Sequence, residues 1–154
     1  MNITVVSVGK KHSLVLADAI AVYETRLLSK HQVTWNLISP STGNEHQQID
    51  EESQKILKVL KPHDYIILLD ETGDILTNQQ FAEVFDRALT NGSISRIVFV
   101  VGGAYGVNDE VRAKADFVWS LSRLVFPHQL VRLILLEQLY RTVAILDNHP
   151  YHHQ

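Results

Sequence analysis

His128, Arg132, Glu137 and Arg141 interrupt a stretch, 121–141, that is otherwise mostly apolar. Charged and imidazole side chains are seldom buried without partners or a task. An imidazole can take or hand over a proton near neutral pH, and guanidinium groups can steady a developing anion or grip a phosphate. Glu137 and Arg141 are also four residues apart, the spacing of an ordinary ion pair on a helix surface. Spacing alone leaves both readings open.

Two other groups of residues raise the same question. Gly102-Gly103-x-x-Gly106 follows an apolar run, and its glycines permit either positive φ with a ligand close to the backbone or a plain tight turn. It is not G-x-G-x-x-G, because Val101 stands where the first glycine belongs, and Gly9-Lys10 is not a phosphate loop, because no glycine stands five residues before Gly9. His149, His152 and His153 around Tyr151 lack an acid or second histidine group at ligand spacing, so no metal is expected. H-E-x-x-H, G-x-S-x-G and paired carboxylates are absent, which removes the usual hydrolytic chemistries.

The periodicity supplies a scaffold for these groups. A strand is expected over 3–8, then a helix over 14–28 with Leu16, Ile20, Tyr23 and Leu27 on one face. A second strand over 33–38 runs into a turn-rich loop, 39–47, and a helix over 48–61 follows, with Asp50, Glu51 and Glu52 in its first turn and Lys61-Pro62 at its end. The continuous apolar run 65–70 predicts a strand covered on both faces. Thr77 can cap a helix whose stripe is Phe81, Val84, Phe85 and Leu89, ended by Asn91-Gly92, and 97–101 is a buried strand feeding the glycines. The last helix starts at Phe126-Pro127 and is apolar almost all round, as in a core or subunit interface. Alternating strands and helices predict an α/β fold, a mostly parallel sheet flanked by helices, in one domain spanning 1–154.

The chain has no cysteine, which excludes disulfides and thiolate chemistry and suits a reducing cytosol. Its opening residues read as a strand, not a signal peptide, since no basic residue precedes the apolar run. No apolar run reaches the ~18 residues of a membrane helix, so a cytoplasmic protein without membrane contact is expected. A net charge of -3 argues against bulk electrostatic binding of nucleic acid. Residues 111–154 nevertheless carry five Lys/Arg against three Asp/Glu, and four of the eight histidines, so a local positive site on an acidic body is possible.

Taken in order, Val101-Gly102-Gly103-Ala104-Tyr105-Gly106, Trp119-Ser120-Leu121-Ser122, Phe126-Pro127-His128, Arg132, Glu137-Gln138-Leu139-Tyr140-Arg141 and Pro150-Tyr151-His152 closely resemble the bacterial ribosomal RNA large subunit methyltransferase H family, of the SPOUT class. The likeness covers nearly the whole chain, including the opening strand that ends in Val8-Gly9-Lys10. It implies a C-terminal trefoil knot, an obligate homodimer, and S-adenosyl-L-methionine as methyl donor for N3 of a pseudouridine in 23S rRNA of the assembled ribosome. By position it implies a cofactor pocket of Leu69, Gly103 and Ser122-Arg123-Leu124-Val125-Phe126-Pro127. His128, Arg141, Tyr151 and His152 become candidate catalytic groups, and Arg132 a candidate substrate contact. Family members often carry Arg or Lys after the Tyr-His pair, whereas His153-Gln154 follow here. The competing reading is a non-catalytic ribosome-binding module that kept the fold.

Overall fold

The computed structural model describes residues 1–149 and Tyr151. Five strands, β1 (Asn2–Val8), β2 (Gln32–Ile38), β3 (Asp64–Ile75), β4 (Arg96–Val101) and β5 (Phe117–Ser120), alternate with helices α1 (Leu14–Leu27), α2 (Glu45–Val59), α3 (Asn78–Thr90), α4 (Asp109–Lys114) and α5 (His128–Leu146). The sheet has the order β2-β1-β4-β3-β5, and every neighbouring pair is parallel. All five carboxyl ends therefore lie on one edge.

Strand alternation sorts the core into two layers. Ile3, Val5, Ile67, Ile97 and Phe99 point to the face covered by α1, α3 and α5, while Val6, Val8, Ile66, Leu68, Val98 and Val100 meet Ile56 of α2 and Val111 of α4. Moves in one direction along the sheet, β1 to β2 and β3 to β4, use the first face, and the reverse moves use the second. All four crossovers thus share one hand, as parallel connections do. α5 packs against both α1 and α3, with Leu135, Leu136 and Leu139 fully buried, each worth on the order of 2 kcal/mol.

The expected helices and strands are present, with shifts at their ends. α2 starts at Glu45, because Asn44 Oδ1 accepts from the Gln47 backbone N–H and Gln47 Oε1 accepts in turn from the Asn44 backbone N–H. This capping box moves Glu52 out of the first turn, where its charge suggested it belonged, to a buried position further along. β3 does not stop at 70: it continues to Ile75 through a register shift between Leu69 and Asp74, so that both pair with Trp119. Thr77 caps α3 through a second capping box with Gln80. Pro127 is the cap residue of α5 and not its first helical residue. Two short elements, α4 and β5, lie in a stretch to which periodicity assigned nothing. Among the described residues no helix is long and apolar enough to cross a membrane.

Candidate active site

The chain leaves β1 and β3 for helices on one face, and leaves β4, which lies between them, for α4 on the other. Such divergent exits open crevices on either side of the β4 end, where open α/β sheets take ligands. Toward β3 and β5 the crevice is a pocket of about 770 Å³, within the size range of small-molecule sites. Its walls are residues 69–72 after the first part of β3, 101–106 after β4, and most of 121–128 after β5. Leu69, Leu121, Val125 and Phe126 make it apolar, and main-chain groups with Ser122, Thr72 and Glu71 add polarity. The loop is held by a bond from the Leu124 amide to Ser122 Oγ (2.9 Å), by Ser120 Oγ donating to the Ser122 carbonyl (2.9 Å), and by Arg123 donating to the Glu71 carbonyl. That leaves the side chains of Leu124 and Val125 free: they are 70% and 81% exposed. Asp70 closes one wall, accepting from Thr72 N and Oγ1 and from Arg112 Nη2 at 2.7 Å. Burial pushes its carboxyl up, but the Thr72 bonds and the Arg112 charge outweigh that and hold it below its ordinary value.

On the β1 side the crevice is filled by side chains. Gly9 has φ 135°, and a Cβ there would stand 2.9 Å from both Arg132 Nη2 and His128 Nε2. Gly103 makes room for Glu52: a Cβ would meet Glu52 Oε1, and the other carboxylate oxygen accepts from the Ser41 amide at 2.9 Å. Arg132 has no exposed surface. It donates to Ser7 Oγ (3.0 Å) and the Lys10 carbonyl (2.8 Å) and approaches His12 Nδ1 (3.3 Å) and Gln129 Oε1 (3.4 Å). Its Nη2 has no partner, and among the described residues no carboxylate pairs with it. A buried cation without a counter-ion is costly, and burial accordingly lowers its pKa. His128, whose ring shares the Gly9 side of the crevice with Arg132, lines the pocket. Burial, then the Arg132 charge, pull its pKa below the ordinary 6.5 against an opposing effect of Glu52, so the ring is neutral at pH 7.

His12 and His31 are lowered as well, both first by burial. All three histidines bind protons more readily in the unfolded chain than in the fold, so their contribution to stability is complete above about pH 6.5 and is lost as the pH falls. The urea midpoint is expected to drop between pH 7.5 and 5.5. A midpoint that is flat or rises on acidification would refute this.

Arg141 and Tyr151 do not line the pocket. They form a separate cluster: Arg141 Nη2 lies 2.6 Å from Glu137 Oε1, and Tyr151 donates to the same oxygen at 3.2 Å and packs on Tyr140 at 4.6 Å. The helix-surface ion pair expected from their spacing exists, with the two side chains 22% and 20% exposed. Hydrogen bonding with Tyr23, then burial and the Glu137 charge, push the Tyr151 phenol up to about 12, so it keeps its proton at neutral pH and serves as a hydrogen-bond donor. With 1.5 Å of rise per residue, Arg141 lies about 20 Å along α5 from His128.

Leu69, Gly103, Ser122, Leu124, Val125, Phe126, Pro127 and His128 thus surround one pocket, with Arg123 tying its rim and Arg132 beneath His128. Arg141 and Tyr151 stand apart, and His152 lies outside the described residues. Asp70, Glu71, Thr72 and Arg112 also line the pocket, and Glu52 supports it; the carboxyl end of the 65–70 strand is the edge expected to meet a ligand, whereas the roles of these side chains are not evident from the sequence. The one signal available was Asp70-x-Thr72 at a strand end, a local side-chain-to-amide turn. Among the described residues no group of three or more His, Asp or Glu is placed to hold a metal.

Residues 1–152 match the family model described as "Predicted SPOUT methyltransferase". The chain is 39% identical over 160 residues to a ribosomal RNA large subunit methyltransferase H of Parabacteroides distasonis, covering 100% of both chains. It is 38% identical over 159 residues to the protein of that name in Desulfitobacterium hafniense, covering 99% of each. A solved structure, a probable methylase family protein from Haemophilus influenzae Rd KW20, superposes with a TM-score of 0.53 at 12% identity, over 95% of this chain and 66% of that one, a likeness of fold alone.

Proposed function

Because the chain belongs to the ribosomal RNA large subunit methyltransferase H family of SPOUT methyltransferases, we propose that it transfers a methyl group from S-adenosyl-L-methionine to N3 of a pseudouridine in 23S rRNA of the assembled ribosome. In this reading it is a single cytoplasmic domain, knotted as a C-terminal trefoil and active as a homodimer. The observation that carries the reading is the pocket at the β3, β4 and β5 ends with a neutral imidazole on its rim.

The residues present fit the methyl donor. The pocket combines an apolar floor with main-chain groups of three loops, and its volume exceeds that of one nucleoside. Leu69, Gly103 and Ser122 to Pro127 would hold it, with Leu124 and Phe126 against the adenine. When bound, S-adenosyl-L-methionine supplies an activated methyl group. The protein's own work is to hold N3 in line with that group and to accept the N3 proton, a role for His128 that its position on the pocket lining and its lowered pKa support. Arg132, with no exposed surface, does not touch substrate as its place in the sequence implied; its charge, unpaired among the described residues, favours an anion such as the ionising N3 on the His128 side of the pocket. Arg141, about 20 Å from His128 along α5, and Tyr151 beside it would meet the same target nucleotide from a second copy.

Calorimetry with S-adenosyl-L-methionine, followed by transfer of labelled methyl to ribosomes from a strain lacking this modification, tests the proposal. Binding and transfer are expected. Binding without transfer would favour a ribosome-binding module, and no binding would end both readings.

A further inference from the structure

Lys10 and Lys11 sit at the carboxyl end of β1, both exposed. Their main chain is fastened to α5 to an unusual degree for a surface turn. Arg132 Nη1 donates to the Lys10 carbonyl at 2.8 Å. Gln129 Nε2 reaches the Lys10 and Lys11 carbonyls at 3.5 and 3.4 Å, and its Oε1 accepts the Ser13 amide at 3.0 Å. Gly9, just before them, is pressed against the His128 ring, and its amide is bonded to the Ile38 carbonyl at 2.9 Å. The two ammonium groups, by contrast, make no ion pair among the described residues. The nearby acid Glu24 is engaged with the Trp35 indole at 3.3 Å.

The fold therefore fixes the backbone of this turn and leaves its charges unneutralised, next to the residue that lines the pocket. On a body with net charge -3, two uncommitted lysines on a rigid turn are a local positive site. We infer that Lys10 and Lys11 are phosphate contacts for the RNA substrate, held in register with the pocket by Gln129 and Arg132. This rests on the proposed RNA methylation and adds where the RNA backbone is gripped. Phosphate contacts position an RNA without reading its sequence. A turn fixed through its main chain does so with little loss of backbone freedom on binding.

The double substitution Lys10→Gln/Lys11→Gln tests this, with ribosomes as substrate and KM followed from low to high salt. KM is expected to rise on the order of tenfold at low salt, and the log–log salt slope to fall by about 1.5, one phosphate per lysine. Affinity for S-adenosyl-L-methionine should stay at the wild-type value, which reports an intact pocket. Gln129→Ala keeps both charges but frees the turn, so it should raise KM at an unchanged slope. A double variant with wild-type KM and slope overturns the inference, as does a raised KM at unchanged slope, which would mark a structural effect. If Gln129→Ala changes nothing, the positioning half falls. If the wild-type protein binds S-adenosyl-L-methionine yet methylates no ribosome, the proposed function fails and the inference with it.

Discussion

His128→Ala is expected to slow methyl transfer to ribosomes by about 10²–10⁴-fold at pH 7, the range for loss of a positioned proton acceptor. The ring lines the pocket and is kept neutral by burial and by Arg132. Protonation would place a second positive charge beside a guanidinium that no carboxylate pairs with among the described residues. In the wild-type protein the acid limb of turnover should therefore lie below the ordinary histidine value of 6.5, with activity falling as the pH drops through it. The limb should vanish in the variant. Single-turnover rates across pH 5 to 8 measure both effects; a variant within about fivefold of wild type would remove His128 from the chemistry.

Gly9→Ala should be strongly damaging to both stability and turnover. It places a Cβ at φ 135°, 2.9 Å from both Arg132 Nη2 and His128 Nε2. The backbone conformation alone costs about 1–3 kcal/mol for a residue with a side chain. The close contacts add to this because Arg132 is fully buried and tied to Ser7 and Lys10, so it cannot swing away. A total loss of about 2–4 kcal/mol is expected from urea unfolding, with turnover down at least about tenfold as the imidazole is displaced. A stability change under about 0.5 kcal/mol would show that the turn relaxes freely.

The scaffold was largely legible because its cues are local and repeated. The 3.6-residue stripe of α3, the apolar runs of β3 and β4, and the caps at Thr77 and Asn91 all act over a few residues. The start of α2 was misread because three consecutive acids at 50–52 imitate a first turn, while the actual cap is Asn44 with Gln47. That shift is what puts Glu52 under Gly103. α4 and β5, of 6 and 4 residues, are too short to show a period. The site was legible only in part. The polar intruders in α5 were visible as such, but spacing could not tell that Arg132 is sealed beneath His128 or that Arg141 belongs to a distant cluster. Those outcomes depend on which strand end meets which turn of α5. The role of Asp70 to Thr72 was hidden because β3 reads as ending where it bends into the pocket wall.

The separation of His128 from Arg141 along one helix means that both can serve one target nucleotide when two copies share an active site. Purified His128→Ala and Arg141→Ala proteins, each expected to be folded but nearly inactive alone, can be mixed under conditions that exchange the subunits of the proposed homodimer. In a mixed dimer one site carries both defects and the other carries none. Random exchange of equal amounts should then restore about a quarter of wild-type transfer. No recovery above the two single variants, with exchange verified, would contradict a site built from two copies.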